Sequence, residues 1–427
     1  MDDLHRILKQ QGPTPAAALT RQLGISPATL SRRVKAAGGQ VVRIGRTRGA
    51  RYGLQHEIPG IGARWPVWEI RPDGTPEARG QLHWLHGPAS YWEIEPGQGL
   101  VYEGFAPFIA DMAPQGFLGQ LFPRRFPELA FPPRIRDWQE SHVLQALALR
   151  GEDLPGNLII GNVSMDRFLQ SETRVSDPQD YPTVSRELVT RGGGSSTAGE
   201  FPKFTAFDGE HHLLVKFTAG DHSSADRRWR DLLLCEHHAA ATLDAAGINA
   251  SVTRPVLQEE QLFLEIRRFD RQGQRGRHPV ITLGAVDDAW LGPRDNWIQA
   301  ARRLADRGWI TPEDHRRILL LEAFGLLIHN NDRHFGNLAF FWEPTAEEPR
   351  LKLAPVYDML PMALAPAANG MLPERTLEPP KPSAALLTVW DQAVWLAREF
   401  RTRVADDDRV SPAFKALIQT DGLAGLP

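Results

Sequence analysis

The stretch Leu326–Phe341 reads LLIHNNDRHFGNLAFF and places a polar cluster between two apolar segments. The residues before the cluster (LLLEAFGLLI) are typical of a buried helix, and LAFF is typical of a short strand. Because polar side chains are costly to bury between such elements, a cluster there usually has a function. Asp332 and Asn337 have the Asp-x-x-x-x-Asn spacing of phosphoryl-transfer loops, in which the Asp takes the proton of the attacking hydroxyl and the Asn holds Mg²⁺.

A second acidic residue follows downstream, at the end of another apolar segment. Leu351–Leu360 reads LKLAPVYDML, which predicts a strand that ends in a single carboxylate, Asp358. A metal bound to nucleotide phosphates is held by one or two protein oxygen ligands. A second acidic residue that returns beside Asp332 is therefore what a nucleotide-bound metal would need.

Composition limits the class of protein. The chain has 427 residues, of which 42% are apolar and 24% charged, as in ordinary globular proteins of two to four domains. Its single cysteine, Cys235, excludes an intrachain disulfide framework and a cysteine-rich zinc site. The first residues (MDDLHRILKQ) lack the apolar core of a signal peptide, and no apolar run approaches the roughly 20 residues of a membrane span. We therefore expect a cytoplasmic protein with no membrane partner.

The N-terminal 54 residues carry a charge that differs from the rest of the chain. They hold ten Lys or Arg and two Asp, a balance of +8, which leaves −11 for the remainder of a chain whose net charge is −3. The sequence predicts a helix from Ala16 to Leu23, a turn, and a second helix over Pro27–Ala37 with Ser26 as its N-cap. An arginine-rich hairpin (VVRIGRTRGARYGL) follows. This segment resembles a winged helix-turn-helix domain. The candidate DNA-binding residues are Thr29, Ser31, Arg32, Arg33, Lys35, Arg46 and Arg48. The alternative is a small basic helical cap that binds nothing.

A phosphate-binding turn is predicted further along the chain. Gly192–Lys203 reads GGGSSTAGEFPK and precedes two strand-like segments, where a Gly- and Ser-rich turn can surround phosphates with backbone N–H groups. Lys216 lies inside the apolar strand LLVKF, where an unpaired ammonium would be costly. Its expected partner is Glu236, 20 residues on, in a helix predicted over 228–246. A strand lysine paired with a helix glutamate positions nucleotide phosphates in kinases.

Coarser expectations cover the remaining segments. Residues 60–140 predict small β structure with long loops, and a polar stretch that ends at Arg191 predicts a surface loop. The strand LFLEIRRFDR (262–271) would connect two lobes, with backbone groups near Glu265 and Arg267 reading an adenine edge. Helices are predicted over 297–306, 312–328 and 389–403.

These elements, in this order, resemble the HipA family of bacterial toxin kinases. The residues that carry the resemblance are SSTAGEFPK (195–203), LVKF with Lys216, RRFDR (267–271), HNNDRHFGN (329–337) and APVYDML (354–360). The fused winged helix is similar to the HipA-like subgroup that carries its own DNA-binding domain. In the better-known toxins a separate antitoxin supplies that function, so the existence of a separate antitoxin stays open here.

The resemblance implies an ATP- and Mg²⁺-dependent serine/threonine protein kinase. Asp332 would be the catalytic base, Asn337 and Asp358 would bind Mg²⁺, Lys216 would hold the phosphates, and Glu236 would support Lys216. The remaining predicted nucleotide-binding residues are Ser196, Thr197, Ala198, Gly199, Lys203, Glu265, Arg267 and His334. HipA-type kinases can phosphorylate a serine of their own phosphate loop, which here corresponds to Ser196 or Ser195. The family's toxicity suggests a translation component as the protein substrate, and winged-helix proteins often bind DNA as homodimers.

Two other functions fit parts of the sequence. The chain would be a DNA-binding regulator if its kinase-like domain only senses nucleotide or is inactive. It would be a metal-dependent nucleic-acid hydrolase if His329, Asp332 and His334 ligate a metal, but this leaves Lys216 and the Asp-x-x-x-x-Asn spacing without a role.

The predicted architecture is α+β. We expect a winged helix-turn-helix domain (1–54), a β-rich subdomain (55–150), a kinase-like N-lobe with the phosphate loop (151–268) and a helical C-lobe (269–427), with nucleotide in the cleft between the lobes.

Overall fold

We describe a computed structural model of the chain, which covers residues 3–47, 49–192, 201–367, 369–372, 377–378 and 380–419. Helices and small sheets follow one another along the chain, and the named strands of this part of the chain pair antiparallel. One isolated parallel bridge joins Ala250 to Val356. The predicted combination of strand-rich and helical regions is confirmed.

The first 54 residues form three helices and a three-stranded sheet in the predicted order. The elements are α1 Asp3–Gln11, β1 Thr14–Pro15, α2 Ala16–Leu23, α3 Pro27–Ala36, β2 Val41–Ile44 and β3 Arg51–Leu54, and β3 is the central strand. Helix α3 begins as predicted, because the Ser26 hydroxyl accepts the Thr29 N–H at 3.2 Å and Pro27 occupies the first turn. Leu30 joins the buried core of this unit, and Val34 packs against that core while partly buried.

This N-terminal unit packs tightly against the next sheet. Gly12 and Gly87 approach so closely that a Cβ on Gly87 would lie 2.5 Å from the Gly12 Cα. The rings of His56 and His86 stack with centroids 4.4 Å apart. Ile44 is buried in one cluster with Leu85, Ala89 and Tyr91. The unit is therefore fixed to the body of the protein through a packed interface.

The middle region contains a five-stranded sheet with helices around it. Its elements are β4 Arg64–Ile70, β5 Pro76–Leu85, β6 Ala89–Glu95, β7 Gln98–Glu103, α4 Pro107–Met112, α5 Gly116–Arg125, α6 Glu140–Arg150, β8 Leu158–Ile160 and α7 Asn162–Gln170, and the strand order is β7-β6-β5-β4-β8. The predicted β structure is present, but the prediction of long loops missed α4 and α5. Helix α4 has only six residues, and α5 contains glycine and an internal proline, which are unfavourable in helices, so the sequence pattern did not indicate either helix.

A four-stranded sheet and a long helix follow. The elements are α8 Tyr181–Gly192, β9 Lys203–Phe207, β10 His212–Phe217, α9 Ser224–Ala245, β11 Thr253–Gln258 and β12 Gln261–Arg267, and the sheet order is β11-β12-β10-β9. The surface loop predicted up to Arg191 is wrong, because α7 and α8 occupy much of it. Tyr181 of α8 packs into the sheet with Phe204 and Phe263, so packing stabilises a helix whose sequence is mostly polar.

The C-terminal part is mainly helical. Its elements are β13 Arg271–Gln272, β14 Gly276–Arg277, β15 Val280–Thr282, α10 Leu283–Val286, α11 Trp297–Asp306, α12 Pro312–Leu327, β16 Ala339–Phe341, β17 Lys352–Leu353, α13 Leu387–Asp406 and α14 Pro412–Gln419. The three predicted helices here correspond to α11, α12 and α13. Helices α12 and α13 contribute Phe324 and Phe400 to one large core that also reaches the middle sheet. No described helix is long and apolar enough to cross a membrane.

Candidate active site

Lys216 lies at the centre of the candidate site. It is in β10, between β9 and β12, and only 3% of the residue is exposed. Its Nζ donates to the two carboxylate oxygens of Glu236 on α9, at 2.7 and 2.8 Å. It also donates to Oδ1 of Asp358. Because a buried ammonium is costly without partners, these two carboxylates fix its position between them.

The same contacts set the charges of the site. Burial lowers the pKa of Lys216, but Asp358 and Glu236 outweigh burial and hold that pKa above its ordinary value. Burial raises the pKa of Asp358, but Lys216 and then Lys203 outweigh it and hold that pKa below its usual range. Lys203 lies opposite Lys216 in β9. At neutral pH the site therefore holds an ammonium and an ionised Asp358 in direct contact.

Asp358 has an unusual backbone conformation. Its φ is +54°, in the left-handed region that residues other than glycine rarely adopt. The hydroxyl of the preceding residue, Tyr357, donates to the carbonyl of Gly336 at 2.5 Å, which ties this segment to the Asp332 loop. Backbone strain of this kind persists only where the surroundings hold it, and such positions cluster at functional sites.

The loop after α12 holds Asp332 from both sides. The Asp332 N–H donates to Oδ1 of Asn330 at 3.0 Å, and its carbonyl accepts Nδ2 of Asn337 at 2.8 Å. Asp332 is exposed, whereas Asn330 and Asn337 are buried. The predicted base therefore lies at the surface of a loop whose backbone is anchored underneath.

Asn330 is a buried residue of the candidate site that the sequence analysis missed. It is 2% exposed, and its Nδ2 donates to the carbonyl of Asp358 at 3.3 Å, with the sulfur of Met359 at 3.5 Å. Together with its bond to the Asp332 N–H, this makes one amide that joins the base loop to the Asp358 segment. The available signal in the sequence was Asn330 itself. It is the first asparagine after the apolar helix, where a polar side chain needs hydrogen-bonding partners.

Arg333 and Glu322 form an ion pair that the sequence analysis did not predict. Two guanidinium nitrogens of Arg333 donate to the two carboxylate oxygens of Glu322 at 3.0 and 3.2 Å. A Cβ at Gly325 would lie 2.5 Å from Cδ of Arg333, so this helix position needs glycine for the arginine to pass. A single acid inside the apolar run LLLEAFGLL was the available signal, since a buried carboxylate requires a partner.

His334 lies beside Asp358 and is anchored on its backbone side. Its ring Nδ1 accepts the Gly336 N–H at 3.0 Å, and its carbonyl accepts the indole N–H of Trp297 at 3.1 Å. His334 also contributes to the lowering of the Asp358 pKa, less than Lys216 and Lys203 do. The structure thus brings three of the predicted nucleotide-binding residues, Lys203, Lys216 and His334, near the predicted metal ligand Asp358.

Glu265 and Arg267 are not brought to this cluster. Lys216 pairs with Leu264 across the sheet, so Glu265 and Arg267 have the opposite phase and their side chains lie on the other face. Glu265 is held there by Arg254 at 2.6 and 3.0 Å and by the Tyr181 hydroxyl at 3.0 Å. The backbone of this strand is paired on both sides. Their predicted contact with adenine stays a prediction that this strand geometry does not favour.

The RRFDR motif forms a buried ion network rather than a cleft surface. Arg268 donates to both oxygens of Asp270 at 3.0 Å, and Arg271 donates to the same carboxylate at 2.6 Å. Burial raises the pKa of Asp270, but Arg268 and Arg271 outweigh it and hold the pKa below its usual range. Arg268 and Arg271 also bind Asp153, and Asp270 accepts the Gly156 N–H at 3.1 Å. The motif therefore joins the middle region to the segment that follows β12.

The predicted phosphate-loop residues Ser195, Ser196, Thr197, Ala198 and Gly199 lie outside the described residues. Where the description resumes, Phe201 is buried and packs on Trp229 of α9, with ring centroids 4.7 Å apart. Its ring also lies 5.7 Å from Nζ of Lys216. The C-terminal end of the predicted loop is thus anchored next to the Lys216 cluster.

The predicted DNA-binding residues fall into two groups. On α3, the exposed residues are Ser31, Arg32 and Lys35, and the partly buried ones are Thr29 and Arg33. Arg46 instead donates to the carbonyl of Pro96 at 2.8 Å and lies 3.8 Å from the carboxylate of Glu95. This engagement within the chain was not predicted. Arg48 lies outside the described residues.

Known proteins resemble this chain over almost its whole length. A family model described as HipA-like C-terminal domain matches residues 195–414, about half of the chain, and one described as YjjJ-like toxin, middle domain, matches residues 61–169. Toxin YjjJ of Escherichia coli is 36% identical over 423 residues, which cover 96% of this chain and 94% of that protein. The chain belongs to the HipA-like toxin family. The predicted resemblance is thereby confirmed, while a DNA-binding role for residues 1–54 stays a prediction.

Two solved structures are also similar to this HipA-like chain. The HipA of Shewanella oneidensis, from a complex with HipB and its operator DNA, is 14% identical, with 90% of this chain and 93% of that chain covered and a TM-score of 0.47. The proinflammatory kinase CtkA of Helicobacter pylori is 12% identical, with 52% and 86% covered and a TM-score of 0.38. Family membership rests on the family model and the Escherichia coli relative.

The donor set of the HipA-like site suits Mg²⁺. Asn337 uses its Nδ2 to bind the Asp332 carbonyl, so its Oδ1 is the amide atom left to act as a ligand. Asp358 adds carboxylate oxygens, and Mg²⁺ prefers such oxygen ligands in sites shared with nucleotide phosphates. No group of three or more His, Cys, Asp or Glu in the described ranges could hold a metal ion by itself.

Replacing Asn330 by alanine should lower phosphoryl transfer about tenfold, because the loss of a buried hydrogen-bonding partner costs on the order of 1–3 kcal/mol in the geometry that it held. Nucleotide affinity should change less than turnover. The hydrogen bonds that join Asn330 to the base loop and to the Asp358 segment go to the backbone of Asp332 and of Asp358, and Lys216 is not among its partners. Turnover and ATP affinity measured on the same preparation test this. Equal loss of both would contradict the role of Asn330 in placing Asp332.

Proposed function

We propose that this chain is an ATP- and Mg²⁺-dependent serine/threonine protein kinase of the HipA type. One observation carries the proposal: Lys216 contacts both Glu236 and Asp358, while Asn330 joins the Asp358 segment to the Asp332 loop. These contacts link three groups: Lys216, a cation for the phosphates; Asp358, a carboxylate for the metal; and, through Asn330, Asp332, a carboxylate for the hydroxyl proton. This is the set of groups that phosphoryl transfer requires.

In the proposed reaction, Lys216 would hold the α- and β-phosphates of ATP and Glu236 would keep its ammonium in place. Asn337 and Asp358 would hold Mg²⁺, which when bound neutralises charge on the phosphate oxygens. Asp332 would accept the proton of the incoming hydroxyl as its oxygen bonds to the γ-phosphorus and the bond to the ADP oxygen breaks. Because the backbone of Asp332 is anchored on both sides, its carboxylate would be held in position to receive that proton.

The rest of the proposed nucleotide site surrounds the phosphates. Lys203 adds positive charge near Asp358, and His334 lies close enough to act on the same carboxylate, which supports a role for both near the triphosphate. The backbone of residues 196–199 would cover the γ-phosphate, since the loop ends at Phe201 against the Lys216 cluster.

The proposed phosphate acceptors are a protein substrate, with a translation component as the candidate, and a serine of the chain's own phosphate loop, Ser196 or Ser195. A phosphate adds about −1.5 to −2 charges at pH 7, so it would repel the nucleotide phosphates and inactivate the enzyme.

The first test is to incubate the purified protein with Mg²⁺ and ATP and to measure intact and peptide masses. We expect a gain of one phosphate on Ser195 or Ser196 that Asp332→Asn does not acquire. If neither protein gains phosphate although both bind ATP, the chain is better described as a nucleotide-sensing DNA-binding regulator.

We also propose that the N-terminal unit binds DNA through α3, at the promoter of its own gene. Ser31, Arg32 and Lys35 are exposed along this helix, and the unit as a whole is strongly basic while the rest of the chain is acidic. A homodimer that reads two half-sites is part of this proposal, and a separate antitoxin is not required by it.

The double variant Arg32→Ala/Lys35→Ala should weaken binding to a promoter duplex of about 30 base pairs at least tenfold, and should reduce the slope of log affinity against log salt concentration by about two. Arg46→Ala is the matched control, because it removes a charge from the same unit but from a side chain that Pro96 and Glu95 hold. Fluorescence anisotropy over a salt series measures both. An equal loss in Arg46→Ala would mean that the hairpin contacts DNA.

A further inference from the structure

Helix α9, which carries Glu236, is attached to the C-terminal end of the described chain. The carboxylate of Asp231 on this helix accepts the N–H of Ser411 at 2.8 Å and its hydroxyl at 2.6 Å. Asp231 is 2% exposed, and it lies five residues before Glu236 on the same helix. We call residues 407–414 the C-terminal brace.

The brace makes a second contact on the other side of Glu236. His238, two residues after Glu236, lies with its Nε2 2.8 Å from an Asp407 oxygen. Two nitrogens of Arg409 hold the same carboxylate at 2.8–3.2 Å. Asp407 is itself almost buried, with 8% of its side chain exposed. Glu236 is therefore flanked along its helix by two polar contacts to the brace.

A third contact fixes the N-terminal turn of the helix. Arg228 donates to the carbonyl of Leu364 at 2.8 Å, and its guanidinium lies over the ring of Phe414 at 5.3 Å. Leu364 belongs to the segment that follows Asp358. The first half of α9 is thus held both by the brace and by the segment that follows Asp358, the candidate metal ligand.

These contacts bear on the Lys216–Glu236 pair through geometry. A rotation or outward shift of α9 that removed Glu236 from Lys216 would also break the Asp231–Ser411 and His238–Asp407 contacts. Each break would leave a buried polar group without its partner, which is more costly than the loss of an exposed hydrogen bond. The brace therefore favours the one helix orientation in which Glu236 reaches Lys216.

We propose that the C-terminal brace is a built-in positioning device for the active site, and that Asp231, Ser411, His238 and Asp407 are positioning residues that act through Glu236. The proposal rests on the proposed kinase function for its effect on turnover. Its effect on Lys216 itself does not depend on turnover, so the two can be tested separately.

The test compares Ser411→Ala with Ser411→Thr, which keeps the hydroxyl, and with Thr402→Ala. Thr402 is the matched control, because its hydroxyl binds the Arg398 carbonyl within α13 and its removal leaves the brace contacts in place. Two quantities are measured: steady-state phosphorylation with kcat and KM for ATP, and the rate at which an N-hydroxysuccinimide acetate labels Lys216, read by peptide mass. A cooperative thermal unfolding transition well above the assay temperature confirms that each variant is folded.

In Ser411→Ala we expect kcat to fall about tenfold and Lys216 labelling to rise about tenfold, because Asp231 keeps only the Ser411 N–H and loses the hydroxyl, which weakens the attachment of the helix that holds Glu236 against Lys216. Ser411→Thr and Thr402→Ala should resemble the unchanged protein in both. If Ser411→Ala is folded and labels Lys216 at the unchanged rate, the proposal is wrong. If the unchanged protein transfers no phosphate but labelling still rises in Ser411→Ala, the proposed kinase function fails while the brace stands.

Discussion

Replacing Asp332 by asparagine is expected to lower phosphoryl transfer about a thousandfold while ATP affinity changes by no more than about threefold. Asparagine is close in shape to aspartate and can keep the loop bonds, which use the backbone of Asp332 rather than its carboxylate. It cannot take the proton of the attacking hydroxyl. Single-turnover transfer from radiolabelled ATP measures the rate, and titration calorimetry measures the affinity.

Asn331→Ala is the control for this experiment, because Asn331 is the exposed neighbour of Asp332 in the same loop. We expect it to retain most of the activity. A rate for Asp332→Asn within tenfold of the unchanged protein would contradict a role as base. A parallel loss of ATP binding would indicate instead that Asp332 supports the nucleotide site.

Replacing Lys216 by methionine should abolish detectable phosphoryl transfer and also lower the free energy of unfolding by about 3 kcal/mol at pH 8, because it leaves the buried Glu236 and the partly exposed Asp358 without their shared cation. Burial already raises the pKa of Glu236, and the loss of Lys216 would raise it further. The folded variant should then bind a proton more tightly than the unfolded chain. Its stability deficit should therefore shrink as the pH falls and grow as the pH rises.

Urea unfolding at pH 5.5 and pH 8 measures this pH dependence. The double variant Lys216→Met/Glu236→Gln is the matched control, since it removes one of the two carboxylates and should recover part of the stability at pH 8 without recovering activity. A deficit in Lys216→Met that does not change between the two pH values would mean that the carboxylates reach water when the lysine is absent.

The sequence predicted the site where chemistry and periodicity agreed. Lys216 stood alone as a charge inside an apolar strand, and Glu236 lay on a helix that could reach it, so their contact followed from the cost of burial. Asp332 and Asn337 followed from their spacing in one loop. The direct contact between Lys216 and Asp358 could not be predicted, because it depends on how segments 142 residues apart meet and on the left-handed backbone of Asp358.

The features that the sequence did not predict have physical causes of the same kind. The backbone near Glu265 was expected to read an adenine edge, and that stays a prediction, but the direction of the Glu265 side chain depends on the register with β10, which sequence does not give. Helix α8 was predicted as a loop because its sequence is polar, whereas the packing of Tyr181 stabilises it. Arg46 looked like a phosphate contact, and its carbonyl partner at Pro96 lies 50 residues away.

The close contact of the N-terminal unit with the middle sheet also limits how this chain can be shortened, by proteases or by evolution. Leu85, Ala89 and Tyr91 of this sheet are buried in one cluster with Ile44 of the N-terminal unit. A chain cut after residue 54 would expose these side chains to water as an adhesive surface prone to aggregation. Loss of residues 1–54 would therefore also lower the solubility of the chain. A relative without this unit would need polar residues in place of Leu85, Ala89 and Tyr91.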